Sequence, residues 1–395
     1  MLIGIVGKPN VGKSTFFKAA TLAEVLIADY PFATIDPNEG IGYVKVECID
    51  KEFNVQCMPR TGFCINHIRF VPVRLMDVAG LVPGAHKGKG LGNQFLDDLR
   101  EADAFVHIVD MSGRTNEEGK PAENYDVTKD VLFLEEELDL WFFGMMQKAW
   151  KVFSRKVQAE KVPLHEAIVK QFSGLKITEI QVKDSILKSG LNAENAVNWT
   201  EKELLQFTTI LRKTGKPMII AANKCDASKA KENLDKLKAR FPDLPIIPCS
   251  AEAELALREA ARDNIIDYIP GENNFKIKDE NKLNERQKKA LMFIKEKILD
   301  VYGSTGVQDV LNKAVFDLLR YIAIFPAGAH KLADSHGNIL PDCFLLPPNS
   351  TAFDFASYIH SDLAKNFVKA IDAKTKRALG KDHKLKHRDA LEIIT

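Results

Sequence analysis

A nine-residue motif near the N-terminus has the residue types and the spacing that bind nucleotide phosphates. Residues 7–15 read G-K-P-N-V-G-K-S-T, which fits the pattern G-x-x-x-x-G-K-[ST]. Glycines let backbone N–H groups converge on phosphate oxygens, while the lysine reaches the β- and γ-phosphates and the serine a magnesium ion. The nucleotide-binding residues that this motif predicts are Asn10, Val11, Gly12, Lys13, Ser14 and Thr15.

The sequence around the motif supplies the structural context that this chemistry needs. Residues 1–6 form an apolar run typical of a buried strand, and a helix is expected from Lys13 onward. The glycines then lie in the turn between strand and helix, where the helix N-terminus adds partial positive charge. An incidental glycine turn is the alternative, and the strand–loop–helix order argues against it.

Two further segments carry candidates for metal binding and catalysis. Residues 77–80, D-V-A-G, follow an apolar run: Asp77 is expected in the magnesium shell, usually through water, and the Gly80 N–H at the γ-phosphate. Thr34, in the polar stretch 30–37, is a candidate switch residue. Its hydroxyl is expected to complete the magnesium shell while γ-phosphate is present, and hydrolysis of the nucleotide would release its loop. We therefore expect Ser14, Thr34 and Asp77 at the metal, and Lys13, Thr34 and Gly80 to serve catalysis.

Two motifs predict which base is bound. Residues 223–226 read N-K-C-D, and residues 250–252 read S-A-E. A carboxylate at Asp226 accepts hydrogen bonds from the ring N–H and the exocyclic amino group of guanine, whereas adenine offers neither donor in that arrangement. The predicted base-binding residues are Asn223, Lys224, Asp226, Ser250, Ala251 and Glu252, and the predicted substrate is GTP.

The fold class follows from the runs that precede these motifs. Apolar runs predict parallel strands at residues 1–6, 71–76, 104–109, 217–222 and 246–248. An α/β domain with a mainly parallel sheet binds its ligand at the carboxyl ends of the strands, where the motifs stand.

More than one hundred residues separate the third and fourth runs, which predicts an inserted helical segment. Its apolar stripe includes Val131, Leu132 and Leu138, and 135–137, E-E-E, is expected to be its wet face. From 325 onward, short apolar runs and a helix over about 352–378 predict a small α+β module. The expected domains are 1–125 and 213–324 (two parts of one nucleotide-binding domain), 126–212 (helical insertion) and 325–395 (C-terminal module).

Composition excludes several classes of protein. Lysine plus arginine (55) nearly balances aspartate plus glutamate (54), so a nucleic-acid-binding surface has to be local. No apolar run reaches the roughly 18–20 residues of a membrane helix, which predicts a cytoplasmic protein without a membrane partner.

Six scattered cysteines fit reduced thiols. The six-residue gap between Cys57 and Cys64, near His67, is not a usual zinc spacing, so no zinc site is predicted there.

One stretch of the C-terminal module is strongly basic. Between residues 365 and 388 there are nine lysines and arginines against two acids, Asp372 and Asp382. The nine are Lys365, Lys369, Lys374, Lys376, Arg377, Lys381, Lys384, Lys386 and Arg388. Such a patch favours salt-dependent docking onto structured RNA, and a solvated helix face is the alternative.

These motifs together resemble the Obg-related YchF family of translation-factor-like P-loop GTPases. The similarity rests on residues 30–38 (Y-P-F-A-T-I-D-P-N), on 77–85 (D-V-A-G-L-V-P-G-A) and on 88–96 (G-K-G-L-G-N-Q-F-L). Residues 357–365 (S-Y-I-H-S-D-L-A-K) resemble the helix of the family's TGS domain, a β-grasp module. The resemblance implies a P-loop G domain with a helical insertion, a C-terminal TGS domain and action on the ribosome or a ribosomal subunit.

The resemblance also bears on catalysis and on nucleotide choice. Leu81 stands where many related GTPases have a water-orienting glutamine, so slow intrinsic hydrolysis is expected; His86 is the nearest polar candidate, with a solvated loop histidine as the alternative. Asn10 stands where relatives with potassium-activated hydrolysis have asparagine, which makes K⁺ a second candidate cofactor beside Mg²⁺; an ordinary turn residue is the alternative. Many YchF members have lost N-K-x-D and prefer ATP, whereas this chain retains it.

There are therefore three alternatives to a GTP-hydrolysing switch as the function of this protein. ATP-preferring hydrolysis is the reading that the family suggests, and a nucleotide-gated stress or assembly adaptor with incidental hydrolysis is a reading from another class. A metabolic kinase on the same phosphate loop is disfavoured, because such kinases do not generally read guanine with N-K-x-D. The sequence leaves the oligomeric state open.

Overall fold

The computed structural model describes residues 1–21, 38–78, 80, 84, 99–329, 331–334 and 336–395. Its largest sheet has seven strands. These are β1 (Leu2–Val6), β2 (Glu39–Glu47), β3 (Phe63–Ile65), β4 (Ile68–Asp77), β5 (Ala104–Asp110), β6 (Met218–Asn223) and β7 (Ile246–Pro248).

The strands lie in the order β2-β4-β1-β5-β6-β7, and β3 pairs with β4. Strands β4, β1, β5, β6 and β7 are parallel, whereas β2 and β3 run antiparallel to β4. The five predicted strands are all present and confirm the α/β class. The prediction missed β2, which mixes polar with apolar residues, and β3, which is only three residues long; neither has the continuous apolar run of a buried parallel strand.

The register of the sheet brings three motif-bearing strand ends to one edge. Ile5 pairs with Asp77, and Asp110 pairs with Asn223. Because the carboxyl ends of parallel strands meet at the same edge, the sequence motifs that follow β1, β4 and β6 lie side by side.

Helices flank this sheet, and four of them lie between β5 and β6. Helix α1 (Lys13–Thr21) follows β1, and the inserted helices are α2 (Thr128–Glu160), α3 (Leu164–Gln171), α4 (Glu179–Ser189) and α5 (Glu201–Gly215). Capping boxes at Thr178 and Thr200 fix the starts of α4 and α5. The aromatic core of the insertion includes Trp150 stacked on Trp199, with ring centroids 5.4 Å apart.

The predicted polarity of α2 is wrong at two positions. Glu137, expected on the wet face, is only 5% exposed, and Leu132, expected in the apolar stripe, is 41% exposed. The physical reason is that Glu137 faces a backbone N–H that it can satisfy, as described below for the nucleotide site.

The second part of the nucleotide-binding domain is mostly helical. It contains α6 (Ala230–Arg240), α7 (Ala251–Arg262), the hairpin β8 (Ile266–Tyr268) and β9 (Phe275–Ile277), α8 (Glu285–Ile294) and α9 (Val307–Asn312). Helix α8 continues through a π turn over Lys295–Leu299, and α9 through one over Lys313–Leu318.

The C-terminal domain is a five-stranded sheet covered by two short helices. Its elements are β10 (Ile322–Pro326), β11 (Phe344–Leu346), α10 (Ala352–Ile359), α11 (Ser361–Lys365), β12 (Lys369–Asp372), β13 (Ala378–Leu379) and β14 (Ala390–Ile394). The predicted continuous helix over 352–378 is wrong: it is divided into α10 and α11, and the helical conformation ends at Lys365. The backbone becomes extended at His360, and Lys369 pairs with Ile394, so sheet pairing overrides the helical pattern.

The two domains are joined by hydrogen bonds between their backbones. The N–H of Met58 donates to the carbonyl of Ile339 at 2.8 Å, and the N–H of Arg60 to the carbonyl of Pro341 at 2.9 Å. The buried Arg69 guanidinium donates to the carbonyls of Leu340 and Pro341 at 3.1 and 2.6 Å. The loop between β2 and β3 is therefore part of the domain interface.

Among the described residues, none of the helices combines the length and the apolar character needed to span a bilayer. The boundaries 1–125, 126–212, 213–324 and 325–395 remain predictions.

Candidate nucleotide-binding site

The phosphate-binding loop connects β1 to α1, as the motif requires. Gly12 has a φ of 97°, in the region that favours glycine, and a β-carbon there would lie 2.4 Å from Asn223 Nδ2. Lys13 and Ser14 begin α1, so their backbone N–H groups belong to the first helical turn, which has no carbonyl partners within the helix. Val11 is buried below the loop, and Ser14 is exposed at its open side.

Three predicted phosphate and metal residues lie together at this loop. Lys13 Nζ donates to the carbonyl of Lys8 at 2.8 Å, and Ser14 Oγ donates to Asp77 Oδ2 at 2.9 Å. Hydroxyl and carboxylate oxygens are the type of ligand that Mg²⁺ takes, and Asp77 is expected to reach the ion through water.

The electrostatics at Lys13 are unusual for a lysine. Burial lowers the pKa of Lys13 to about 8, although the nearby Asp77 carboxylate acts to raise it. His107 on β5 also has an unusual pKa. Burial lowers the pKa of His107, and the charges of Lys13 and Lys8 lower it further, to about 3, so that His107 stays neutral. Phosphate oxygens are the ligand groups that would favour the charged form of Lys13.

Two of the predicted base-recognition residues, Asn223 and Lys224, contact the phosphate-binding loop directly. Asn223 Nδ2 donates to the Val11 carbonyl at 2.9 Å, and Asn223 Oδ1 accepts from the Ala251 N–H at 3.0 Å. Lys224 Nζ donates to the Asn10 carbonyl at 3.2 Å. The asparagine and lysine therefore connect three loops that are far apart in the sequence.

Asp226 is exposed and oriented by a neighbour from the second base motif. Ser250 Oγ donates to Asp226 Oδ1 at 3.1 Å. Glu252 is exposed one residue beyond Ala251, in the first turn of α7. The structure thus brings Asp226, Ser250 and Ala251 together, and the Asp226 carboxylate keeps acceptor capacity for a ligand.

Asp110 is a site residue that sequence analysis missed. Its carboxylate accepts from Lys224 Nζ at 2.8 Å and from the Ser112 N–H at 2.9 Å. Burial acts to raise the pKa of Asp110, but the hydrogen bonds from Lys224 and Ser112 outweigh burial and hold it below its usual value. Its position at the end of β5, beside Asn223, was the available signal.

A buried ion pair supports the phosphate-binding loop from below. Lys8 is 2% exposed, and its Nζ lies 2.9 Å from Asp130 Oδ2 and 4.1 Å from the centroid of the Tyr125 ring. It also donates to the Thr115 carbonyl at 2.8 Å. Burial raises the pKa of Asp130 to about 6, against the opposing effect of Lys8. Asp130 begins the helical insertion, so the insertion helps to hold the loop.

The loop that follows β5 covers the phosphate-binding loop. Asn10 Nδ2 donates to the Gly119 carbonyl at 3.0 Å, and a β-carbon on Gly119 would lie 2.6 Å from the carbonyl oxygen of Pro9. Gly80 also lies close to Pro9, because a β-carbon on Gly80 would lie 3.0 Å from Pro9 Cγ. A side chain at Gly119 would clash with the Pro9 backbone, and a side chain at Gly80 would require Pro9 to shift by a few tenths of an ångström.

Glu137 links the helical insertion to the segment after Asp77. Its Oε1 accepts from the Gly84 N–H at 2.6 Å. The insertion therefore contacts the chain four residues after Gly80, the residue that the sequence predicts at the γ-phosphate. Three other predicted residues, Thr34, Leu81 and His86, lie outside the described residues, so their predicted roles stay predictions. Thr15 is half-buried in α1.

The basic stretch of the C-terminal domain divides into two groups. Arg388 pairs with Glu47 and Glu52, and Lys374 Nζ lies 2.8 Å from Glu52 Oε2, so these cations serve the domain interface. Lys376 donates to the carbonyl of Ala329, and Lys365 pairs with Asp362. Five exposed cations make no ion pair with the described residues: Lys369, Arg377, Lys381, Lys384 and Lys386.

Fold and site together define a P-loop GTPase G domain joined to a TGS domain. Residues 2–137 match the profile described as 50S ribosome-binding GTPase, and residues 331–395 match the TGS domain. Residues 221–328 match the profile described as Obg-like GTPase YGR210-like, G4 motif-containing domain. The chain belongs to the Obg-related, YchF-like family of GTP-binding proteins.

Individual relatives cover most or all of the chain. A GTP-binding protein of Methanocaldococcus jannaschii is 49% identical over 395 residues, covering 100% of this chain and 99% of the relative. A protein named ribosome-binding ATPase YchF from Buchnera aphidicola is 29% identical, covering 93% of this chain and 86% of its own length. The crystal structure of a GTP-binding protein from Pyrococcus horikoshii superposes with a TM-score of 0.80 at 38% identity, covering both chains completely.

Proposed function

We propose that this protein is a molecular switch that binds and hydrolyses GTP. The observation that carries the proposal is the contact of Asn223 with the phosphate-binding loop, at 2.9 Å from the Val11 carbonyl. It places the base motif and the phosphate motif in one continuous cradle. A nucleoside triphosphate has its base and its phosphates at opposite ends, and this cradle offers a matching group at each end.

Guanine is the base that the site fits best. Asp226 is exposed, and Ser250 holds its Oδ1 in place, which leaves carboxylate lone pairs for the two adjacent donors of guanine. Adenine would leave this carboxylate unpaired, which costs binding free energy. ATP is the alternative substrate, because one relative is named a ribosome-binding ATPase.

P-loop GTPases generally use Mg²⁺, and Ser14 and Asp77 would hold the ion here. The ion would neutralise charge on the β- and γ-phosphates. Lys13 would move from the Lys8 carbonyl to the phosphate oxygens, and the Gly80 N–H would meet the γ-phosphate. Thr34 would complete the metal shell and release its loop after hydrolysis. His86 is the candidate that would orient water in place of the missing glutamine.

We further propose that the partner is the ribosome or a ribosomal subunit, reached in the cytoplasm through the C-terminal domain. Supporting observations are the five exposed cations that make no ion pair within the described part of the chain, and the ribosome-binding names of the matching profile and relative. Cations of this kind attract RNA phosphates without reading sequence. An adaptor that uses nucleotide only as a gate is the rival from a different class.

Titration calorimetry with GTP and ATP in parallel tests the nucleotide proposal. GTP is expected to bind more tightly, and Asp226→Asn is expected to weaken GTP binding by about 1.5–3 kcal/mol, the range for hydrogen bonds to a charged group. Asp263→Asn makes the same change at the exposed end of α7, outside the site, and should leave both affinities unchanged. Equal or tighter ATP binding would refute the preference for guanine.

Turnover separates a hydrolysing switch from an adaptor. Steady-state phosphate release should be slow for the isolated protein and faster with purified ribosomal subunits, because a switch needs an activator for its reset. Lys13→Ala should abolish binding or turnover. If subunits bind without changing phosphate release, the adaptor reading replaces the switch.

A further inference from the structure

Three cysteines from separate segments converge near the domain interface. Cys48 follows β2, Cys57 lies in the loop between β2 and β3, and Cys64 lies on β3. The sulfur atoms of Cys48 and Cys57 are 3.6 Å apart, and Cys64 Sγ lies 3.9 Å from Asp50 Oδ2. One ligand atom from each of these four residues lies within 4.8 Å of the other three. The spacing of Cys57 and Cys64 did not predict this cluster, because its other two members, Cys48 and Asp50, follow a different strand, β2.

The Asp50 carboxylate is buried at the centre of this cluster. It is 0% exposed, and its Oδ2 accepts from the Cys57 N–H at 3.0 Å. Its Oδ1 lies 3.0 Å from Nδ1 of His67, which stands in the turn between β3 and β4. A histidine that bonds one carboxylate oxygen orients the other, which is a common arrangement around metal ligands.

A buried cation with an unused donor lies beside the thiols. Arg69 is directly opposite Cys64 in the β3–β4 register and is 1% exposed. Two of its nitrogens donate to carbonyls of the C-terminal domain, but its Nε finds no hydrogen-bond partner among the described residues. Burying an arginine next to neutral thiols is costly, whereas metal-bound thiolates would supply compensating negative charge.

We propose that Cys48, Cys57, Cys64 and Asp50 bind one zinc ion as a closed, four-coordinate structural site. Tetrahedral coordination with zinc–sulfur distances of about 2.3 Å places neighbouring ligand atoms about 3.8 Å apart, close to the separations in the cluster. Thiolates select zinc over magnesium, and all four ligand positions are filled by the protein. Binding releases the thiol protons to solvent and leaves the redox state of sulfur and metal unchanged.

The position of the site indicates what it stabilises. The chain between Cys57 and Cys64 carries Met58 and Arg60, whose N–H groups bond to the C-terminal domain. A zinc ion at the base of this loop would fix the interface between the domains. Cys48 lies near the start of β4 and Asp77 at its end, so the two sites are about 30 Å apart at 3.3 Å per residue. Metal binding here can therefore be measured independently of nucleotide binding.

Elemental analysis of the full-length protein, purified under reducing conditions, tests the proposal directly. About one zinc per chain is expected. Replacement by Co²⁺ should give the thiolate-to-cobalt charge-transfer band and the visible bands of tetrahedral coordination. Cys57→Ala and Cys64→Ala should lose the metal and these bands. Cys249→Ala, a matched change at a buried cysteine outside the cluster, should keep both.

His67→Ala provides a variant that spares the proposed ligands. His67 is 42% exposed in its side chain, so the variant should fold, and metal affinity should fall about 10–100-fold through loss of the bond to Asp50. A wild-type protein that binds neither zinc nor cobalt after reduction would overturn the proposal. A disulfide between Cys48 and Cys57 in protein isolated with alkylation of free thiols, without metal, would overturn it as well.

Discussion

Asn223 lies against Gly12 so closely that a β-carbon on Gly12 would stand 2.4 Å from Asn223 Nδ2. The same Nδ2 donates to the carbonyl of Val11, the residue before Gly12. The base motif is therefore in direct contact with the phosphate-binding loop. A change at either residue should affect both ends of the nucleotide.

Gly12→Ala should abolish or strongly weaken nucleotide binding. Its φ of 97° strains an alanine, and the added methyl group would push Asn223 away from Val11. Strain of about 1–3 kcal/mol corresponds to roughly a 5- to 150-fold loss of affinity. Calorimetric titration with GTP measures the effect. Gly144→Ala, in helix α2 with no atom within 4 Å of the added carbon, should bind GTP normally. Normal binding by Gly12→Ala would contradict this account of the contact.

Nucleotide binding should become pH-dependent above about pH 8. Lys13 has a pKa of about 8 in the free protein, and phosphate contacts would raise that pKa, so binding takes up protons in this range. Affinity should be flat below pH 8 and fall by up to tenfold per pH unit above it. Titrations at pH 8 in two buffers of different ionisation enthalpy should show uptake of about half a proton. Lys13→Arg, which stays charged, should bind more weakly but without this pH dependence. Absence of proton uptake by the wild type would contradict the assignment.

Potassium should accelerate hydrolysis if an ion supplies charge beside the phosphates. Asn10 Nδ2 is engaged with the Gly119 carbonyl, which leaves its Oδ1 as the acceptor that a cation requires. Asn10 has a φ of 64°, so Asn10→Gly removes the side chain without the backbone strain of alanine. Phosphate release measured in potassium and in sodium should differ for the wild type and be equal for the variant. Equal rates for the wild type would remove potassium as a cofactor.

The sequence predicted the parts of this site that follow directly from local motifs. Lys13 and Ser14 follow β1 after one short loop, Asp77 and Asn223 are the last residues of β4 and β6, and Asp226 lies three residues beyond Asn223. The apolar runs of these strands are visible in the sequence, and parallel strands bring such positions together. Contacts between distant segments were not predictable in this way. Asp110 carries no motif of its own, and its role appears only when β5 and β6 pair.

Packing also overrode local patterns. Glu137 belongs to an acidic triplet typical of an exposed helix face, yet the Gly84 N–H holds it in a buried position. The chain after Lys365 has residues compatible with a helix, but pairing of Lys369 with Ile394 makes it a strand. Both outcomes depend on partners from other parts of the chain, which a local pattern does not contain.

Binding to ribosomal subunits should depend on the exposed cations of the C-terminal domain and weaken steeply with salt. Lys381, Lys384 and Lys386 are exposed and make no ion pair with described residues, whereas Arg388 and Lys374 are engaged with acids of the G domain. If three phosphate contacts are lost, the slope of log affinity against log salt should fall by about 2–3. Cosedimentation with subunits across a salt series measures this slope.

The test of this surface uses charge reversal at those three lysines to glutamate. A matched control reverses three exposed lysines of the helical insertion, Lys148, Lys151 and Lys170, which gives the same change in net charge. Only the C-terminal variant should show the shallower slope, because a general charge effect would appear in both. Identical salt profiles for the wild type and the C-terminal variant would mean that these lysines form a solvated face, and the partner would then have to be recognised elsewhere on the protein.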